Sequence, residues 1–173
     1  MDSEFKLYIY PDNPDYQSDL TSLVPLLENI ELIGNPLSEN RYATGENFLS
    51  LLTFMGCSPN IELEPQDDKP YCYIEICSTI KPQFISSKNT KYPNCPHCKK
   101  PLKAIICSHC NESIIPNELN WRKSAFFASC WICIGNIYEL EAIPSDQLLN
   151  ALEKKSGIVW KPAYIRHKPT NSI

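Results

Sequence analysis

The sequence predicts an α+β protein with a small mixed α/β layer, a four-cysteine insertion and a C-terminal strand, helix and strand. Three observations support this prediction. Residues 1–87 alternate between apolar runs with period-two spacing and apolar runs with helical spacing. Residues 88–123 contain two Cys-x-x-Cys pairs. In residues 124–173 a helical pattern lies between strand-like runs. Because the 173 residues suit one domain carrying a smaller module, we expect the first and last segments to pack together as one domain.

The first elements are predicted from residue type and from turn formers. Residues 5–10, FKLYIY, form a strand that the following PDNPD ends. A short helix follows, and it starts near Thr21 or Ser22, because Pro25 is tolerated only in a first turn. Residues 31–34 are a second strand candidate, and a loop is expected to follow them.

A longer helix is predicted over residues 45–55, with Thr44 as its N-cap and Gly56 as its stop. Its apolar stripe consists of Phe48, Leu51, Leu52 and Met55. Alternating apolar residues then predict a strand over residues 61–64 and a stronger one over residues 71–80.

The second half of the chain alternates polar and apolar segments. Residues 81–94 have the Pro, Ser, Asn and Lys content of a linker, whereas residues 124–143 are almost continuously apolar and predict a buried sheet. A helix is predicted from Ser145 to a stop at Gly157. Residues 158–169 form a strand candidate, and Pro162 within it is typical of an edge strand.

The net charge of −4 is unevenly distributed along the chain. Residues 1–87 carry 14 acidic and 4 basic side chains (−10), residues 88–123 carry 2 and 7 (+5), and residues 124–173 carry 4 and 5 (+1). A basic segment in an acidic protein marks either a nucleic-acid surface or a solvated loop that balances its neighbour.

The N-terminus is acidic and has no signal-like apolar run, and no apolar stretch approaches the length that a bilayer demands. We therefore expect a cytoplasmic protein with no membrane contact. In that compartment the nine cysteines are expected to be reduced thiols and metal ligands rather than disulfides.

Three Cys-x-x-Cys pairs offer more than one way to build a four-cysteine zinc site. Cys95, Cys98, Cys107 and Cys110 leave eight residues between the pairs, whereas Cys107, Cys110, Cys130 and Cys133 leave nineteen. A third choice joins the outer two pairs. The first set is favoured because turn-forming residues surround it, whereas residues i and i+3 of the strand-like CWIC run point to opposite faces.

The pairs CPHC and CSHC, over residues 95–110, resemble the two knuckles of a short zinc ribbon, with proline after the first cysteine. The resemblance implies a closed structural zinc site and no catalysis. Such knuckles often have glycine after the second cysteine, and this sequence has Lys99 and Asn111 there.

The remaining histidines and cysteines have simpler interpretations. His97 and His109 are expected to be exposed, because four sulfurs already saturate zinc. Cys57, Cys72 and Cys77 are interpreted as small buried hydrophobic residues.

The sequence contains no HExxH or HxE arrangement and no glycine-rich phosphate loop, and nothing in it favours a catalytic Cys-His pair, so we expect no enzymatic activity. The leading hypothesis is a zinc-stabilised interaction or adaptor protein that binds another protein, and a metal or thiol redox sensor ranks third. The alternative is nucleic-acid binding by basic and aromatic residues near the knuckles, namely Lys91, Lys99, Lys100, Lys103, Trp121, Arg122 and Lys123. The sequence does not indicate the oligomeric state.

Overall fold

The computed structural model describes residues 5–56, 61–88, 90–138 and 141–167 and confirms the α+β class. The elements, in chain order, are β1 (Phe5–Pro11), α1 (Leu20–Asn29), β2 (Ile33–Pro36), β3 (Arg41–Thr44), α2 (Phe48–Leu51), β4 (Leu52–Phe54), β5 (Tyr73–Ser86), β6 (Ala125–Gly135), β7 (Ala142–Pro144), α3 (Asp146–Ser156) and β8 (Trp160–Arg166). A short 3₁₀ helix, Pro116–Glu118, lies between β5 and β6. None of the helices described in these ranges is long and apolar enough to cross a bilayer.

A six-stranded antiparallel sheet in the order β2-β3-β5-β6-β1-β8 forms the body of the protein. β1 lies between β6 and β8, so the first strand pairs on both sides with strands from the second half of the chain. A separate two-stranded ladder joins β4 to β7. Both sheets therefore combine strands from residues 1–87 and 124–173.

The helices and one face of the sheet form the main core. Side chains alternate along each strand, so Leu7 and Ile9 of β1 point into this core while the residue between them points away. The central side chains of this core are fully buried: Leu7, Ile9, Leu27, Ile74, Ile132 and Leu148. α1 and α3 are thereby held against the sheet by the hydrophobic effect.

The opposite face of the sheet carries a smaller second core of aromatic and small side chains: Tyr8, Tyr10, Phe126, Ala128, Trp131, Cys133, Ala163 and Ile165. The β5–β6 ladder is irregular between Ser78 and Gln83, and beyond that point residues 83–86 pair with residues 125–128. We call these two paired segments the arm. A side chain of the arm, Phe126, stacks on Tyr10 with ring centroids 4.3 Å apart, so the arm packs on the second core.

The end of the arm is hydrogen-bonded to β8. Tyr164 N donates to Lys123 O at 2.7 Å, and Ser87 Oγ donates to Tyr164 O at 3.2 Å. Residues 88–123, which we call the module, therefore begin and end beside β8.

Several predicted elements are confirmed. α3 has its N-cap at Ser145, whose hydroxyl accepts from Leu148 N, and its C-cap at Gly157 in the left-handed region. β1 matches the first predicted strand, and β6 is almost fully buried, as the apolar run predicts. β8 is an edge strand of the sheet, where Pro162 removes no central ladder bond.

The prediction of a helix over residues 45–55 is wrong. α2 has only four residues, and the chain continues directly into β4, which pairs with β7. Tertiary pairing overrides helical spacing here, because Leu52 lies opposite Pro144 in a ladder. Met55, which was predicted to face the core, is 70% exposed.

Other boundaries also differ. β3 lies in the predicted loop, residues 61–64 form no strand, and α1 begins one residue after its N-cap Asp19, earlier than predicted. The largest difference concerns β5, which continues through Ser86 into the predicted linker. The arm accounts for this extension, because its half of β5 pairs with β6.

Candidate metal centre

Four cysteine sulfurs converge within the module. The Sγ atoms of Cys95, Cys98, Cys107 and Cys110 all lie within 4.8 Å of one another. The separations are 3.7 Å between Cys95 and Cys110 and 3.6 Å between Cys98 and Cys107, too long for disulfide bonds. A zinc ion bound to four thiolates at about 2.3 Å in a tetrahedron needs sulfurs about 3.8 Å apart. The donor set therefore fits a tetrahedral metal ion.

The first knuckle, residues 95–100, is closed by two backbone hydrogen bonds. Lys99 N donates to Cys95 O at 2.9 Å, and Cys95 N donates to Lys100 O at 2.8 Å. The chain thus reverses tightly after Cys98. This reversal directs both thiols of the knuckle to the same side.

The second knuckle, residues 107–112, repeats this pattern. Asn111 N donates to Cys107 O at 2.8 Å, and Cys107 N donates to Glu112 O at 3.1 Å. Because the same bonds recur at equivalent positions, the two knuckles form a matched pair. This arrangement is compatible with a zinc-ribbon-like module.

The residue after the second cysteine of each knuckle has a left-handed backbone, with φ of 62° at Lys99 and 59° at Asn111. Glycine adopts this conformation without cost, and asparagine tolerates it better than lysine. The Lys99 ammonium donates to Pro96 O at 2.7 Å and so makes a contact that glycine would lack. The first knuckle therefore tolerates a lysine at the position where such knuckles often have glycine.

A small apolar cluster surrounds the four sulfurs. Cys95 and Cys107 are buried together with Leu102 and Ile114. Tyr92 and Leu119 pack against this cluster from outside. So few buried side chains provide little hydrophobic stabilisation, which is typical of small modules that depend on a metal or on disulfides.

Backbone N–H groups point at one of the sulfurs. Hydrogen bonds from the backbone N–H groups of Cys110 and His109 lower the pKa of the Cys107 thiol. Since zinc binds thiolates, these donors favour the form of Cys107 that a metal requires. His109 and His97 are exposed, and neither belongs to the group of possible ligands.

The third Cys-x-x-Cys pair is not brought to this centre. Cys130 lies in the main core and Cys133 in the second core, on opposite faces of β6, because no turn interrupts the strand between them. Burial raises the pKa of Cys130 to about 11 and of Cys133 to about 12. Both thiols are therefore neutral at physiological pH and suit a core position.

The other cysteines also lie outside the centre. Cys72 is buried in the main core and Cys77 is half-buried, and burial raises the pKa of each to about 12. The interpretation as a small buried residue is confirmed for Cys72 but not for Cys77, whose half-buried Sγ donates to Glu75 Oε1 at 3.5 Å. Cys57 lies outside the described residues.

The basic and aromatic residues named as nucleic-acid candidates differ in solvent exposure. Every cationic member is exposed: Lys91, Lys99, Lys100, Lys103, Arg122 and Lys123. Trp121 differs, because it is only 6% exposed and its Nε1 donates to Pro116 O at 2.6 Å. Its ring is therefore part of the packing and does not present a face to a base.

Sequence reasoning missed an aromatic cluster at the root of the module. Phe84 and Phe127 of the arm stack with centroids 4.5 Å apart, and Phe84 also contacts Trp121 at 5.3 Å. It also missed Asn117, whose amide pairs with the backbone of Phe127 at 2.7 and 2.9 Å. The strand-forming composition around Phe84 was the available signal, but prolines and lysines around it obscured that signal.

No family model, no curated protein and no solved structure matches the chain.

Proposed function

We propose that the four cysteines of the module bind one structural zinc ion, and that the protein is a non-catalytic interaction or adaptor protein that binds another protein. The observation that carries the zinc proposal is the separation of the sulfurs, 3.6 and 3.7 Å, which matches a tetrahedral tetrathiolate site. Four sulfurs fill the tetrahedron, so no position remains for a substrate. This donor set supports a structural role for the ion.

The ion would stabilise more than the two knuckles. Asn117 Nδ2 donates to Asp12 O at 3.3 Å, and Thr90 Oγ1 donates to Ser124 O at 2.9 Å, so both sides of the module are bonded to the body. Because metal binding contributes directly to folding free energy, zinc in the module would fix the position of these contacts.

The proposed protein-binding surface lies on the acidic part of the chain. Exposed carboxylates cluster in sequence around the end of α1 and the β2–β3 strands, at Glu28, Glu39 and Glu46. Residues 1–87 carry a net charge of −10. Electrostatic complementarity increases association rates and specificity, so this surface suits a partner with a basic face.

Native mass spectrometry of the full chain tests the zinc proposal. We expect one zinc ion per wild-type chain, none after Cys95→Ser, and one after the matched control Cys130→Ser. Retention of zinc by Cys95→Ser, or its absence from wild-type protein purified in zinc-supplemented buffer, would overturn the proposal.

Charge reversal tests the partner proposal. Proteins from a lysate would be crosslinked to the wild type, to Glu28→Lys/Glu39→Lys and to the matched control Glu64→Lys/Asp67→Lys. We expect basic proteins to crosslink to the wild type and to the control, but not to Glu28→Lys/Glu39→Lys. Equal crosslinking to both variants would contradict an acidic binding surface at α1 and β2–β3.

A further inference from the structure

The turn that returns from the module to β6 has an unusual backbone. Arg122 and Lys123 have φ of 52° and 60°, and Ser124 N donates to Trp121 O at 3.1 Å. Two consecutive left-handed residues are typical of a type I′ turn, in which Asn-Gly is preferred. This turn instead contains two cations whose Cβ atoms make the conformation unfavourable.

Surrounding hydrogen bonds hold the turn in place. Arg122 N donates to Asn120 Oδ1 at 3.0 Å, and Tyr164 N donates to Lys123 O at 2.7 Å. Ser124 Oγ also donates to Trp121 O at 2.7 Å. Strained residues that their surroundings hold so firmly occur often at functional sites. The backbone of the turn is therefore held in one conformation, and it carries two exposed cationic side chains.

Partly exposed aromatic rings lie beside this turn. The ring of Phe84 contacts Phe127, Trp121 and Tyr92, with centroids 4.5, 5.3 and 6.0 Å away. Trp121 is buried, whereas the rings of Phe84, Tyr92 and Phe127 are only half-buried. Half-buried rings on a packed support can accept a further flat ring without reorganising.

The charge of the module remains positive when the metal is included. Its seven cations are all exposed, at Lys88, Lys91, Lys99, Lys100, Lys103, Arg122 and Lys123, and only Glu112 and Glu118 oppose them. A zinc ion with four thiolates would add a charge of −2, which reduces the +5 of these residues without cancelling it. The zinc centre therefore does not account for all the lysines around it.

We propose that the turn and the rings form a binding surface for single-stranded nucleic acid. This ring-and-turn surface consists of Phe84, Tyr92, Phe127, Arg122 and Lys123. The two cations contact phosphates, and the rings stack on bases, a combination that tolerates any sequence. Stacking requires bases that are not already paired, so a single strand fits better than a duplex. The inference rests on the zinc-stabilised module of the proposed function, but it uses a different surface from the acidic one.

Fluorescence anisotropy with the zinc-loaded full chain tests this proposal. The probes are a labelled 20-nucleotide single strand of mixed sequence, as DNA and as RNA, the corresponding DNA duplex, and heparin, in 50 to 200 mM salt. We expect tighter binding of the single strands than of the duplex. Arg122→Glu/Lys123→Glu should weaken single-strand binding by about tenfold or more and reduce the salt slope by about 1.4, since each phosphate contact contributes about 0.7.

The ring variant distinguishes stacking from simple charge attraction. Tyr92→Leu should weaken single-strand binding by about fivefold, which is the lower end of the effect of removing a stacking ring, and should leave heparin binding unchanged. The matched control Lys154→Glu/Lys155→Glu makes the same change of charge on α3, and it should leave both affinities unchanged.

Three outcomes would overturn the inference: no single-strand binding at 50 mM salt, equal weakening by the α3 control, or equal loss of heparin and single-strand binding in Tyr92→Leu. Zinc is counted on the same samples. Bound zinc without nucleic-acid binding rejects this inference alone, whereas nucleic-acid binding without zinc rejects the zinc proposal and leaves the surface in place.

Discussion

Each of the two knuckles and β6 contains a Cys-x-x-Cys motif, and the two copies in the knuckles fold differently from the copy in β6. In each knuckle a left-handed residue follows the motif and the chain reverses, so both thiols point to one side. In β6 the motif stays extended, and Cys130 and Cys133 point into separate cores. The spacing of the cysteines is identical, so the flanking residues determine the outcome.

The difference lies in what the neighbouring residues can bury. Pro96, a turn former, lies inside the first pair and the charged Lys100 follows it, whereas Trp131 and Ile132 inside the third pair have side chains that suit a strand. Burial of β6 within a six-stranded sheet removes its thiols from water, and this desolvation keeps them neutral. The knuckles have no comparable core, because only four buried side chains form their cluster.

The largest expected effect comes from Cys107→Ser. Loss of this ligand should remove most of the zinc-derived stability, about 10 kcal/mol in comparable structural sites. Hydrogen exchange should then show rapid exchange of the knuckle amides while the amides of β6 stay protected. Loss of protection in β6 to the same extent would show that the two regions unfold together. That result would contradict separate sources of stability for the knuckles and β6.

Gly135→Ala should disturb β6 and leave the metal centre intact. A Cβ at this position would clash with Cζ of Tyr73, whose ring covers the glycine and is itself packed beneath the Arg41 guanidinium at 4.0 Å. Displacing a buried ring should cost about 1 to 3 kcal/mol of unfolding free energy. Urea unfolding measures this cost, and zinc content serves as the control. A neutral result would mean that the Tyr73 ring moves freely.

Cys130→Ala should have a smaller effect. The fully buried thiol loses its contacts in the main core and its weak bond to Tyr16 O at 3.6 Å, so unfolding free energy should fall by about 1 kcal/mol. Zinc stoichiometry should not change. A zinc-depleted Cys130→Ala protein would contradict a purely structural role for the β6 pair.

Lys99→Gly is expected to have the smallest effect. This substitution also compares the two knuckles with each other. Glycine relieves the left-handed strain, but the contact to Pro96 O is lost, so zinc should bind more tightly by less than about 1 kcal/mol. Chelator competition measures this change. Asn111→Gly should gain less, because asparagine already tolerates the conformation; a larger gain there would contradict this account.

The predictable parts of the fold were those that local chemistry decides. Ser145 and Gly157 mark the ends of α3, and turn formers around the first two cysteine pairs identify the four residues that the structure brings together.

The unpredicted parts depend on distant partners. Residues 52–54 have helical spacing but pair with β7, about ninety residues away in sequence, and β3 becomes a strand through its pairing with β5. The half of β5 in the arm reads as a linker until its partner in β6 is known. Stacking of Phe84 on Phe127 has the same origin, because only the arm's register brings these rings together.

One consequence of the arm concerns how the module is joined to the protein. Ser87 N donates to Ser124 O at 2.9 Å, so the two chain ends of the module meet at a single ladder bond. An insertion that enters and leaves a hairpin at one point adds length without shifting the register of the strands beneath it. The module thus occupies the place of an ordinary hairpin loop between β5 and β6, so its length can change without a change in how these two strands pair.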